Sequence, residues 1–147
     1  MAYSANYSQE DQSTILSTMS DLSGISSIVD ANSTYIIEAF LQIKRSSDAC
    51  DVFMDFTGPV DSTSFGAFMT ENWYYVEHAI GSTGFSGLSV AAKLNRPVGN
   101  NTVEYCHLNG LLITNESAGV LQMRYSVVGA NTVTVLAHSW IKATKVE

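Results

Sequence analysis

The sequence predicts an α+β fold in which N-terminal helices pack on a curved antiparallel sheet. Three observations predict it. Apolar residues recur at helical spacing in three segments before Gly81. The last third of the chain is a series of runs rich in Val, Leu, Ile, Tyr and Thr, separated by short breaks of turn-forming residues. The whole is 147 residues long, which fits one domain at roughly 100–200 residues each.

Taken in order, residues 1–8 are polar and read as a frayed lead-in. From Ser8 or Gln9 to Leu22, the positions Ile15, Leu16, Met19 and Leu22 fit a helix, with Glu10 and Asp11 in its first turn and Gly24 as its stop. A second helix is predicted from Asn32 to Arg45. Asn32 or Ser33 caps it, and Lys44 and Arg45 suit its C-terminal end. Its apolar residues surround nearly the whole cylinder, so it is buried on more than one side. Cys50 to Thr57 alternates as a strand, with Val52, Met54 and Phe56 on one face and Phe53, Asp55 and Thr57 on the other, closed by Gly58-Pro59. Asp61 or Ser62 caps a third helix to Ile80, striped by Phe65, Phe68, Met69, Trp73, Val76 and Ile80. Residues 85–101 are irregular apart from a short strand at Ser89–Leu94. Three long strands follow, Thr102–Thr114, Ala118–Val128 and Thr132–Thr144. Hairpin-length breaks at 115–117 and 129–131 join them as an antiparallel meander.

Composition bounds the function. Charged residues are 14% of the chain, against a usual value of about 25%. Seven basic and 14 acidic residues leave a net charge of −7. An acidic chain with scattered basic residues is a poor binder of phosphate backbones, so nucleic acid is excluded as a partner. The shortage of charge leaves apolar surface that a subunit interface would absorb, so a homo-oligomer is expected, a dimer being the commonest. The longest apolar run, Trp73 to Val76, is far short of the ~20 residues of a membrane span. The N-terminus lacks the basic and apolar regions of a secretory signal, so a cytoplasmic chain is expected unless a targeting segment has been removed. Cys50 and Cys106 fit no zinc spacing, and no metal or other cofactor is expected. Four Asn-x-Ser/Thr triplets, at Asn6, Asn32, Asn100 and Asn115, carry no weight without a secretory route. No nucleophile elbow, P-loop or dinucleotide fingerprint occurs.

The order of elements resembles the NTF2-like superfamily, which includes ketosteroid isomerase, scytalone dehydratase and SnoaL-type cyclases. The resemblance spans residues 9 to 144 and is architectural. Asp51–Phe56 is similar to the family's first strand, Tyr105–Leu108 followed by Ile113–Ala118 to its strand-turn-strand unit, and Ser139–Lys142 to its Trp-bearing strand. Many members carry one more strand than this chain does. The resemblance implies a cone-shaped α+β barrel with a sheltered pocket.

Alternation puts Val103, Tyr105, His107 and Asn109 on one face of their strand and Glu104, Cys106 and Leu108 on the other. If the first face lines a concavity, Tyr105, His107 and Asn109 form a polar ladder inside it. His107 can then give or take a proton, and the resemblance to scytalone dehydratase implies the same role. Each such residue has a plainer reading beside the catalytic one, for His107 a core histidine satisfied by a neighbouring hydroxyl. Asp55, flanked by Met54 and Phe56, is the candidate base, since an apolar setting raises a carboxylate's proton affinity. Its plainer reading is a solvent-facing strand end. Tyr35, Tyr125, Trp73 and His138 are candidates for substrate contact, or else core and surface positions.

Two functions follow as expectations. One is a small-molecule pocket protein for an apolar organic ligand, working as a cofactor-free isomerase, dehydratase or cyclase. The other is a non-catalytic ligand-binding or oligomerisation module of the same fold. A secreted, lectin-like β protein is a third and weaker possibility.

Overall fold

The computed structural model describes residues 3–47, 51–59, 62–70, 103–128 and 131–146. Among them there are ten strands and no helix. They are β1 Tyr3–Tyr7, β2 Gln12–Thr14, β3 Ser20–Val29, β4 Ser33–Arg45, β5 Asp51–Thr57, β6 Thr63–Thr70, β7 Val103–Thr114, β8 Gly119–Val128, β9 Val133–Val135 and β10 Trp140–Val146. The larger sheet runs β1-β10-β4-β7-β6, with β9 continuing along β4 beyond β10 and β2 paired to β9. The smaller sheet is β3-β8-β5. Every pairing is antiparallel. The two sheets bury one shared core, with Ile37, Leu41 and Ile43 from β4 and Leu112 from β7 meeting Leu22, Met54, Phe56, Leu121 and Met123 of β3, β5 and β8.

The α+β expectation and the NTF2-like resemblance are therefore corrected: the described chain is all-β. The reason is clearest in β4. Its burial alternates strictly, with Tyr35, Ile37, Ala39, Leu41 and Ile43 inward and Thr34, Ile36, Glu38, Phe40, Gln42 and Lys44 turned out or half-buried. A strand apolar on both faces and a helix apolar all round have the same composition, and the β-branched and aromatic residues decide between them. Ala31 and Asn32 bend the chain into β4, which starts at Ser33, in place of a helix cap. Asn32 takes φ 50°, and the Ser33 hydroxyl donates to Ala31 O at 2.8 Å.

The first expected helix is instead β2, the start of β3 and the links around them. Ile15 and Leu16 are exposed, in the link between β2 and β3. Leu22 and Ile25 are both buried although three residues apart, because the β3–β8 register shifts between Asp21 and Ser26. Gly24 lies inside that bulge at φ 75°, where a Cβ would come within 2.9 Å of Tyr7 O. A glycine read as a stop signal is thus a bulge residue with both reasons to be glycine.

The third expected helix begins as β6, and Ser62 closes a turn by donating to Pro59 O. Its remainder, 71–80, and the expected strand at Ser89–Leu94 lie outside the described residues. β5 occupies the predicted strand and buries Val52, Met54 and Phe56 as its alternation requires.

The C-terminal strands are present but do not form a meander. β7 pairs with β4 and β6, whereas β8 pairs with β3 and β5. The segment at 115–117 therefore crosses between sheets. It is stapled to the β3–β4 crossing beside it: Asn32 N donates to Asn115 O at 2.6 Å, and the Thr114 hydroxyl donates to Asp30 O at 2.6 Å. The expected strand Thr132–Thr144 is broken at Leu136–Ser139 into β9 and β10. No helix of the described residues is long and apolar enough to cross a membrane.

Candidate functional site

Period-2 geometry gives each strand of the larger sheet an outer face, and the register aligns those faces in rows. One row reads Tyr7, Trp140, Phe40, His107 and Met69 across β1, β10, β4, β7 and β6. The next reads Ala5, Lys142, Glu38, Asn109 and Ala67 on the same strands. Beyond it Thr144, Ile36 and Leu111 align.

Phe40 is the hub of the first row. Its ring meets His107 edge-on at 4.9 Å, stacks on Tyr105 at 5.7 Å and lies 6.5 Å from Trp140. Tyr7, 54% exposed, stacks with His138 at 6.4 Å. Asn6, Tyr7, His138 and Trp140 line a shallow groove of about 340 Å³.

The backbone at His138 is unusual, with φ 67° in a residue that has a Cβ. The surrounding hydrogen bonds hold it there. His138 N donates to Ser8 O at 2.8 Å, and Ser8 N donates to Ser139 O at 2.8 Å. The buried Ser139 hydroxyl donates to Leu136 O at 2.8 Å and accepts from Gln42 N at 3.0 Å. A small strain of about 1–3 kcal/mol is thus fixed by a local network, and it sets the imidazole against Tyr7.

Charge is sparse on this face. Among the described residues its charged groups are Glu38, Lys142 and Lys44, and the first two are paired at 3.2 Å. Among the described residues this face carries one acidic group and two basic ones, unlike the acidic chain as a whole.

The candidate residues are distributed as follows. Tyr105, His107 and Asn109 do share a face; it is the outer face of the larger sheet, and all three are exposed. Asp55 lies on β5 of the smaller sheet opposite Arg124, so it and His107 are in different sheets. Tyr35 is buried and its hydroxyl accepts from Asp30 N at 2.8 Å. Tyr125 is buried on the inner side of β8, and burial pushes its phenol above the ordinary tyrosine range. His138 is exposed beside Tyr7, and Trp73 lies outside the described residues. Among the described residues no group of three His, Cys, Asp or Glu is placed to hold a metal.

Tyr7, Phe40 and Trp140 were not singled out by their place in the sequence. They belong to one site only through pairing across the sheet, and pairing partners are not written locally. The signal that was available is the apolar residue left over on β4 once its alternate positions are buried.

No protein-family model matches the sequence, and no curated protein matches it. Among solved structures, the chain is similar to the Eiger TNF structure from S. frugiperda, at 6% identity and TM-score 0.44, covering 99% of this chain and 93% of that one. It is similar to the infectious bursal disease virus Gt strain structure at 10% identity and TM-score 0.25, covering 99% of this chain and 38% of that one. A bacterial lipoprotein from Bacteroides thetaiotaomicron matches at 7% identity and TM-score 0.25, covering 97% of this chain and 87% of that one. The lyase and isomerase expectations were carried by the NTF2-like fold, and they are withdrawn with it because the described residues form strands where that fold needs helices.

Proposed function

We propose that this domain is a non-catalytic assembly module whose partner is a second copy of the same chain, bound through the outer face of the larger sheet. One observation carries the reading: a connected row of exposed and half-buried aromatic rings lies on a face that lacks the acidity of the rest of the molecule. Aromatic enrichment with charge depletion is the signature of an interface core. The charge balance selects the occupant. Two copies at −7 each repel wherever their acidic surfaces meet. They meet with the least of that penalty on a face whose central carboxylate is already paired to Lys142. The extent is also adequate. At about 4.8 Å between strands and about 3.4 Å per residue, β1, β10, β4 and β7 present on the order of 600 Å² in projection. Side-chain relief brings this near the ~800 Å² per partner of a standard interface.

A second reading has its own observation. The groove at Asn6, Tyr7, His138 and Trp140 is apolar-walled and suits one flat ring of a small organic ligand.

The test is sedimentation of the wild type and of Phe40→Glu. The wild type is expected to be oligomeric at micromolar concentration. The variant places a carboxylate at the hub of the row and is expected to be a folded monomer by circular dichroism. A monomeric wild type up to high micromolar concentration overturns the assembly reading, and a small molecule retained in native mass spectrometry of that monomer favours the second.

A further inference from the structure

Both histidines among the described residues lie on the proposed contact face, His107 against Phe40 and His138 against Tyr7. We infer that they make assembly acid-labile: protonating them releases the copies from one another. This rests on the assembly reading above and specifies its regulation.

The groups around each imidazole fix the sign. His107 is faced by Phe40 from β4, its register position on β6 is Met69, and Tyr105 and Asn109 flank it on β7. The carboxylate on that part of β4 is Glu38, committed to Lys142 at 3.2 Å. His138 is faced by Tyr7 from β1 and lies beside Trp140 and Asn6. The β1–β2 connection next to it carries Glu10 and Asp11, and Asp11 accepts from Ala137 N at 2.8 Å. Neutral imidazoles can be covered by a second aromatic face at little cost. Imidazolium ions cannot, because a covered cation without its own carboxylate loses its hydration. Attraction between the covered cation and Phe40 or Tyr7 is worth on the order of thirtyfold in affinity, against several orders of magnitude for the lost hydration. By linkage, excluding the protonated form of a single histidine weakens association about tenfold one pH unit below that histidine's midpoint. Each copy contributes two.

The bulk effect of acid has the opposite sign. Lowering the pH moves the net charge from −7 toward zero, which reduces repulsion between copies and tightens a contact indifferent to the histidines. Release on acidification therefore reports the face itself.

The experiment is sedimentation at about pH 7.5 and about pH 5.5, across the histidine range. It compares the wild type with a His107→Gln, His138→Asn double variant; asparagine tolerates the left-handed backbone at 138. The wild type is expected to dissociate at least tenfold more readily at the lower pH, and the variant to assemble at least as tightly there as at the higher pH. Equal acid release of both proteins overturns the assignment to these histidines. A wild type assembled equally at both values overturns the inference and leaves the assembly reading intact, whereas a wild type monomeric at both overturns the reading itself. If the double variant does not fold, histidine C2-proton titrations of dilute and concentrated wild type decide. Midpoints lower in the concentrated sample support the inference, and superimposed midpoints refute it.

Discussion

Phe40 and Cys106 show how much one position on a strand decides. Phe40 is half-buried and touches three other rings, while its neighbours Ala39 and Leu41 are in the core. On β7 the same alternation turns His107 outward and Cys106 inward. Cys106 is 1% exposed, and its thiol is pushed up to about 12, first by burial and then by the charge of Glu104. Only the thiolate reacts with alkylating or disulfide reagents. Cys106 is therefore expected to stay unmodified in the native protein at mildly alkaline pH and to react once the chain is unfolded, as read by peptide mass spectrometry. Native-state modification at Cys106 contradicts the inward orientation of that face. At this scale the sequence was partly legible. The grouping of Tyr105, His107 and Asn109 follows from period 2 alone. Which side of the sheet they occupy depends on where the second sheet packs, and no local residue states that.

β4 carries the main lesson at the scale of elements. Its thirteen residues satisfy a buried helix and a two-sided apolar strand equally well by count of apolar positions. Its flanking signals are ambiguous too, since asparagine and serine serve turns as readily as helix caps. β3 misleads for another reason. Its bulge at Gly24 breaks the alternation, and the glycine that the bulge requires reads as a helix stop. β5, with no bulge and a clean alternation, was read correctly.

The two readings of β4 differ at adjacent residues. Ile37 is 4% exposed and Ile36 is 47% exposed. Ile37→Ala is expected to cost about 2–5 kcal/mol, the usual range for emptying a core site. Ile36→Ala removes a side chain already half in water, so about 1 kcal/mol or less is expected. Urea unfolding of the two variants measures the difference, and equal costs would restore the all-round buried helix.

Among the described residues, a buried ion pair belongs to the molecule as a whole. Arg45 at the end of β4 meets Glu104 at the start of β7 at 2.6 Å, with both side chains almost fully buried. The second carboxylate oxygen of Glu104 has no hydrogen-bond partner among the described residues. Such a pair contributes little net stability, because the two desolvation costs offset the attraction. Breaking it is a different matter. Glu104→Ala leaves a buried guanidinium and is expected to cost about 3–5 kcal/mol, while replacing both partners together by Met and Leu recovers most of that loss. A single replacement costing no more than the double one would show that the pair is not desolvated.

The same contrast between local pairing and overall charge governs assembly. The proposed contact carries the Glu38–Lys142 ion pair and aromatic rings, yet each copy brings a net charge of −7 to the encounter. Salt screens the long-range repulsion within roughly 10 Å at about 0.1 M and hardly changes apolar contact. Raising ionic strength is therefore expected to tighten self-association, with the change appearing mainly in the rate at which copies meet. Sedimentation and stopped-flow mixing at low and high salt separate the two contributions. Association that weakens with salt would mean that ion pairs between copies hold the contact together, and the charge-poor aromatic row would then not be its centre.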